Sequence, residues 1–314
     1  MHENEFGRVR PVVILTALGL EHDAVRTRLT GLRSVLDNGT QFEVGELPGV
    51  PTPVVLAVVG PGNLQTAGLA ERARARFKPQ AIIFVGVAGS LKADVRPGDV
   101  VVATRVYAYE GAKHSPDGVS IRPASWEAQH GLLQVAQHAL SGPALARNAG
   151  GVQWIEDDVR VHFKPIAAGE SVLNAMDSPL RRRLAEGFSD AVAIDMESAG
   201  LAATAALGGV AALSIRGISD RADGQKAAAD AAGSQPRAAV HAAAAAVAVI
   251  AALPSEAAEA DRGRLNTATS APAPERGALQ LNTATHGGTV QAVQGGWLNV
   301  YHYGSAGEQG SGAR

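Results

Sequence analysis

Six short runs of β-branched and aliphatic residues recur up to residue 216: VVILT (12–16), PVVLAVV (53–59), AIIFVGVA (81–88), DVVVATRV (99–106), AVAID (191–195) and VAALSIR (210–216). Several are apolar at consecutive positions rather than at alternate ones. A strand with one face in water alternates, so unbroken runs imply a sheet covered on both faces. The segments LEHDAVRTRL, NLQTAGLAERARARF, SPLRRRLAEGF and ESAGLAATAAL carry helical patterns. Strands interleaved with helices predict a three-layer α/β/α domain around a mostly parallel sheet. In such folds ligands sit where strand ends meet loops.

Composition narrows the chemistry. The 314 residues include no cysteine, which excludes disulfides, thiol catalysis and cysteine-ligated zinc. A net charge of -2 gives no reason to expect nucleic-acid or membrane binding. The nine histidines show no metal-ligand spacing, so neither a metal nor a cofactor is expected. MHENEFGRVRP lacks the apolar core of a signal peptide, so a cytoplasmic location is expected. The alanine-rich stretch 238–253 is too short to span a bilayer and contains His241; it reads as a buried or half-buried terminal helix.

The predicted domain runs over 10–253, after a flexible start at 1–9. From 254 to 288, Pro, Ala, Ser and Thr dominate and LNTAT occurs twice, as expected of a flexible linker. Residues 289–304, TVQAVQGGWLNVYHYG, return to β-forming residues, and 305–314 reads as a disordered tail.

Four polar segments close the predicted strands. TALGLEHDAV (16–25) places Glu21 at the opening of a helix, where an acid also suits the helix dipole. FVGVAGSLKADVRPGDVVVA (84–103) carries Gly86 and Gly89, which would let the backbone turn tightly beside a ligand at Val87. In AIDMESAG (193–200), Asp195, Met196 and Glu197 leave a strand and enter a helix. GISDRADG (217–224) sets Ser219, Asp220 and Asp223 where a strand runs out. Taken alone, that last segment is ordinary turn chemistry.

In combination, and in this order, the four segments resemble the family of 5'-methylthioadenosine/S-adenosylhomocysteine nucleosidases and purine and uridine phosphorylases. The resemblance covers residues 10–253 and rests most on the pairing of DMES with ISDRAD. It implies an α/β fold around a mixed, partly barrel-like sheet, and a purine nucleoside or nucleotide as ligand. It also implies a homo-oligomer, a dimer or larger. Glu197 would hold the ribose hydroxyls, with Met196 as an apolar wall. Ser219 and Asp220 would address the purine, Asp220 as general acid toward N7, with Asp223 structural. IAAGESVLNA (166–175) would be the base loop: the backbone of Leu173 reads the purine edge, and Val172 stands where the small nucleosidases carry a stacking aromatic.

The same resemblance bears on the nucleophile. Phosphorylases hold phosphate with an arginine ahead of the glycine loop, where this chain has Phe84 and Val85. Nucleosidases activate water with a glutamate after the first strand, which matches Glu21. Hydrolysis, releasing adenine, is therefore expected over phosphorolysis. The rival outside the enzyme class is a catalytically idle nucleoside-binding signalling module. VYAYEGAKHSPDG (106–118), with Tyr109, Glu110, Lys113 and His114, looks closer to nucleosidase domains of antiphage defence, some of which cleave ATP. Lys113, Arg160, Lys164 and Arg181 to Arg183 would then be available to phosphates, although the arginine run also suits a solvated helix face.

AVQGGWLNVYHYG has the composition of a cross-β segment. Through Val293, Gln294, Gly296 and Asn299 it resembles the RIP homotypic interaction motif and bacterial amyloid signalling motifs. That resemblance implies a signalling partner recruited through residues 289–304.

Overall fold

The computed structural model describes Phe6 and residues 9–116, 118–141 and 159–254. The linker, the 289–304 motif and the tail lie outside the described residues, as does nearly all of the predicted start at 1–9.

The first strand, β1 (Val12–Thr16), pairs in parallel with β4 (Pro53–Val58) and with β5 (Ala81–Ser90). Between β1 and β4 the chain makes α1 (Gly19–Arg26) and two antiparallel strands, β2 (Thr30–Asp37) and β3 (Thr40–Glu46). A long helix, α2 (Asn63–Phe77), precedes β5, and β6 (Val100–Ala108) follows it. Next come a small hairpin, β7 (Ala112–Ser115) and β8 (Gly118–Ile121), then β9 (Ala124–Glu127) and α3 (His130–Ala139). β10 (Val161–Ala168), α4 (Pro179–Gly187), β11 (Ala193–Asp195), α5 (Ser198–Gly208) and β12 (Ala211–Asp220) complete the sheet. The described chain ends with α6 (Lys226–Ala231) and α7 (Ser234–Ala252).

The sheet runs β11-β10-β6-β12-β5-β1-β4-β3-β2, and β11 pairs again with β5. Five strands, β5, β12, β6, β10 and β11, therefore close on themselves, while β1 to β4 extend the sheet outward. The expected mixed, partly barrel-like sheet is what forms.

Two-sided burial explains the unbroken apolar runs. Val12 and Ile14 of β1 pack into the core beneath α7 and α1, while Val13 and Leu15 pack with Phe42, Ala73 and Phe77 on the α2 side. All four are fully buried. The alanines of α7 let it approach the sheet closely: a Cβ on Gly217 of β12 would strike the Ala238 carbonyl. The expected terminal helix is thus a core helix. His241 within it is fully buried, and its Nδ1 donates to the Gly98 carbonyl at 2.7 Å.

Candidate active site

The strand carrying Asp220 is longer than its apolar pattern suggests. β12 continues through Arg216 to Asp220, and its register with β5 slips between Ile218 and Asp220. Such an irregularity re-aims a side chain at a sheet rim. Asp220 Oδ2 accepts a hydrogen bond from Ser219 Oγ at 2.8 Å, and Oδ1 accepts one from the Ala222 N–H at 2.8 Å. Lys226 Nζ lies 3.2 Å from Oδ2. Asp223 stays in the loop, where its carboxylate accepts the Gln225 N–H at 3.1 Å.

Asp195, the last residue of β11, organises the neighbouring segment. Its Oδ1 accepts the N–H groups of Glu197 and Ser198, at 3.3 and 3.1 Å, at the entrance to α5. A carboxylate there satisfies otherwise unpaired helix donors. Its Oδ2 accepts from Ser198 Oγ and faces Arg216 Nε at 2.8 Å. Glu197 is thereby held at the barrel rim, where its Oε1 accepts the Gly62 N–H at 3.1 Å.

Arg216 is a site residue that no motif in the sequence marks. It is fully buried, with its guanidinium carbon 4.2 Å from the centroid of the Phe84 ring. Nη1 lies 3.2 Å from Glu197 Oε2, yet that nitrogen has no well-aligned acceptor. Its signal is an arginine closing an apolar run; its carboxylate partners, Asp195 and Glu197, belong to another segment, and Ser214 stands two residues before it on the same strand.

Gly86 is not at a turn, and neither is Gly89: both lie inside β5. The expectation of a tight glycine turn is corrected on this point. Gly86 makes room for two side chains, since a Cβ there would collide with Arg216 Nη1 and press on Glu21 Oε1. At Gly89 a Cβ would come within 3.2 Å of Asp220 Oδ1.

Glu21 is buried in α1 and held by three backbone donors. Oε2 accepts from Ala17 and Leu18 at 2.8 and 2.9 Å, and Oε1 from Val87 at 2.8 Å. Burial pushes its pKa up against the opposing pull of Arg216 and these N–H groups. Burial likewise raises Glu197, to about 7; Arg216 opposes the shift while Asp195 and Glu21 add to it.

These groups meet around one cavity of about 200 Å³, lined by Glu21, Val87, Gly89, Val172, Leu173, Met196, Glu197, Ser219 and Asp220 among others. Of the expected site residues, Gly86 is the one behind the wall rather than in it. Val172 is 64% exposed, and no aromatic residue is among the described residues lining the cavity. Tyr109 sits buried beneath the base loop, its hydroxyl donating to the Ser171 carbonyl at 3.4 Å. Lys113, Arg160, Lys164 and Arg181 to Arg183 do not line the cavity; among the described lysines, Lys226 does. A larger hollow of about 630 Å³ lies between β9 and α5. Its ionisable lining residue, Glu127, is paired with Arg105, so it carries no comparable chemistry.

A closed mixed barrel with acids converging at one rim places the chain in the phosphorylase/hydrolase-like class of α/β domains. The chain belongs to the phosphorylase superfamily, whose family model matches residues 11–251. It is 30% identical over 185 residues to a 5'-methylthioadenosine/S-adenosylhomocysteine nucleosidase of Maridesulfovibrio salexigens, covering 57% of this chain and 72% of that protein. It is 26% identical over 238 residues to the ATP nucleosidase Cap17 of Escherichia coli. That match spans 68% of this chain but only 46% of Cap17. Among solved structures, 5'-methylthioadenosine/S-adenosylhomocysteine nucleosidase from Neisseria meningitidis, in complex with methylthio-immucillin-A, superposes with a TM-score of 0.65. The identity there is 21%, with 78% of this chain and 100% of that chain covered.

Proposed function

We propose that the protein hydrolyses the N-glycosidic bond of an adenine nucleoside. The observation that carries this reading is the convergence of Glu21, Glu197 and Asp220 on one small cavity, with Arg216 buried behind it. The named relatives, nucleosidases themselves, support it.

Breaking the bond builds positive charge on the ribose and negative charge on the departing base. Asp220 protonates purine N7, a positioned transfer that contributes about 10²–10⁴-fold. The Glu197 carboxylate accepts the ribose hydroxyls in charge-assisted hydrogen bonds and favours the cationic sugar. Glu21, which lines the cavity, takes the proton of a water as that water's oxygen bonds to C1', while Arg216, buried behind the cavity and 3.2 Å from Glu197, holds the charge of the rim. Burial, which raises Glu21, suits it to a general base. Val172 and Ile194 supply apolar contact to the purine in place of an aromatic, and Met196 packs against the ribose.

Two features favour water over phosphate and an uncharged 5' group over a triphosphate. The buried Arg216 guanidinium is engaged by Asp195 and Glu197, and no arginine is among the described residues that line the cavity. In the same reading the enzyme is a cytoplasmic homo-oligomer, and residues 289–304 recruit a signalling partner. The test is incubation with methylthioadenosine, S-adenosylhomocysteine, adenosine, AMP and ATP, with and without phosphate. Adenine release without phosphate supports the proposal. Release of none, or release only with phosphate, overturns it in favour of a binding module or a phosphorylase.

A further inference from the structure

Lys226 lines the cavity beside Asp220, the end that the hydrolase reading gives to the base, and the hydrolytic steps above do not use it. Its Nζ lies 3.2 Å from Asp220 Oδ2, and its side chain is 31% exposed. The Lys226 N–H reaches Asn174 Oδ1 at 3.4 Å, which ties the start of α6 to the loop that continues from Leu173.

The three donors around Asp220 differ in freedom. Ser219 and Ala222 are each 1% exposed and held by the strand and the turn. Lys226 reaches in on a flexible four-carbon stem, so its ammonium can shift by ångströms without moving the backbone. The base end therefore offers a carboxylate acceptor and a movable cationic donor side by side.

That pairing matches two kinds of purine. A 6-aminopurine presents an N–H donor beside N7; Asp220 accepts it, and Lys226 gives way. A 6-oxopurine presents a carbonyl acceptor beside N7. A carboxyl group facing it alone would leave one acceptor opposed to another, a costly mismatch in a buried site. Lys226 removes the mismatch by donating to O6.

We propose that the same site also hydrolyses nucleosides of 6-oxopurines, with Lys226 donating to O6 while Asp220 protonates N7. This rests on the hydrolase reading. The C1'–N9 bond breaks and its electron pair passes into the purine, which gains the Asp220 proton at N7. The water oxygen bonds to C1' and gives its proton to Glu21. Lys226 stays protonated throughout, and the products are the free sugar and the 6-oxopurine base.

The test uses the full chain with substrate pairs that differ at C6: adenosine with inosine, methylthioadenosine with methylthioinosine, and ATP with ITP. For whichever pair is turned over, hypoxanthine release is expected with kcat/KM within about tenfold of adenine release. Lys226→Met, close in shape and uncharged, should raise the preference for the 6-amino partner by about 10- to 100-fold, the worth of one charge-assisted hydrogen bond. It should also lower KM for that partner, because a competing donor to Asp220 is gone. Adenine release with no hypoxanthine release overturns the proposal and leaves the hydrolase reading standing. An equal loss on both partners overturns it too. So does a loss confined to ATP and ITP, which would move Lys226 to the 5' end. Absence of any base from wild type defeats the hydrolase reading itself, and this inference with it.

Discussion

Arg216 and Asp195 form an ion pair inside the barrel, Nε to Oδ2 at 2.8 Å, with side chains 0% and 1% exposed. Asp195 accepts the N–H groups of Glu197 and of Ser198, the first residue of α5, and Arg216 also faces Glu197. One guanidinium thus supports both the architecture of the rim and its charge. Removing one partner of a buried pair leaves the other uncompensated, at a cost of about 3–5 kcal/mol. Arg216→Met should lose stability of that order in urea unfolding, and its base release should vanish.

Glu197 sets a pH dependence. Burial pushes its carboxyl up on folding, from the ordinary 4.5 to about 7. Across that window the folded state holds more protons, so this group makes folding less favourable as pH rises from about 4.5 to about 7. Above about 7 the penalty is complete. A glutamine has no such penalty. Glu197→Gln should therefore gain on wild type between pH 5 and pH 8, by about 1–3 kcal/mol in unfolding free energy. Its turnover should fall sharply, and wild-type kcat/KM should decline below pH about 7 as the ribose-binding carboxylate is protonated.

Asp220→Asn removes the transferable proton and little volume. The amide keeps an oxygen for the Ala222 N–H, and Lys226, partly exposed, stays hydrated. Folding should be intact by thermal melting, while purine release drops about 10²–10⁴-fold. A riboside whose leaving group needs no proton, such as 4-nitrophenyl riboside, should lose far less. An equal loss on both substrates would point to a binding role instead.

Two glycines separate space from flexibility. Gly86→Ala drives a methyl into Arg216 and Glu21, and should lower the melting temperature and cut turnover at least about tenfold. Gly68, exposed in α2 with nothing within 4 Å of an added Cβ, should tolerate alanine and gain about 0.5–1 kcal/mol.

The parallel core was readable because its strands are buried on both faces: the 63–77 helix and the 12–16 strand coincide with α2 and β1. β2 and β3 carry no such signal, since Arg33, Glu43 and Glu46 at their outward positions break the apolar run. The expected 210–216 strand falls four residues short of β12 because a charge at Arg216 looks like a strand end. What keeps that charge inside is Asp195 and Glu197, about twenty positions away, together with the Phe84 ring from another strand. The carboxylates were legible as motifs. The cations that answer them, Arg216 and Lys226, carry no local pattern and emerge only from the closed barrel.

The central claim is that water, activated by Glu21, replaces the purine at C1'. The direct measurement is single-turnover hydrolysis in ¹⁸O-labelled water without phosphate, with mass analysis of the released sugar. The account predicts one ¹⁸O at C1' with wild type and no release with Glu21→Gln despite retained ligand binding. Unlabelled sugar, a phosphate requirement, or full turnover by Glu21→Gln would contradict it.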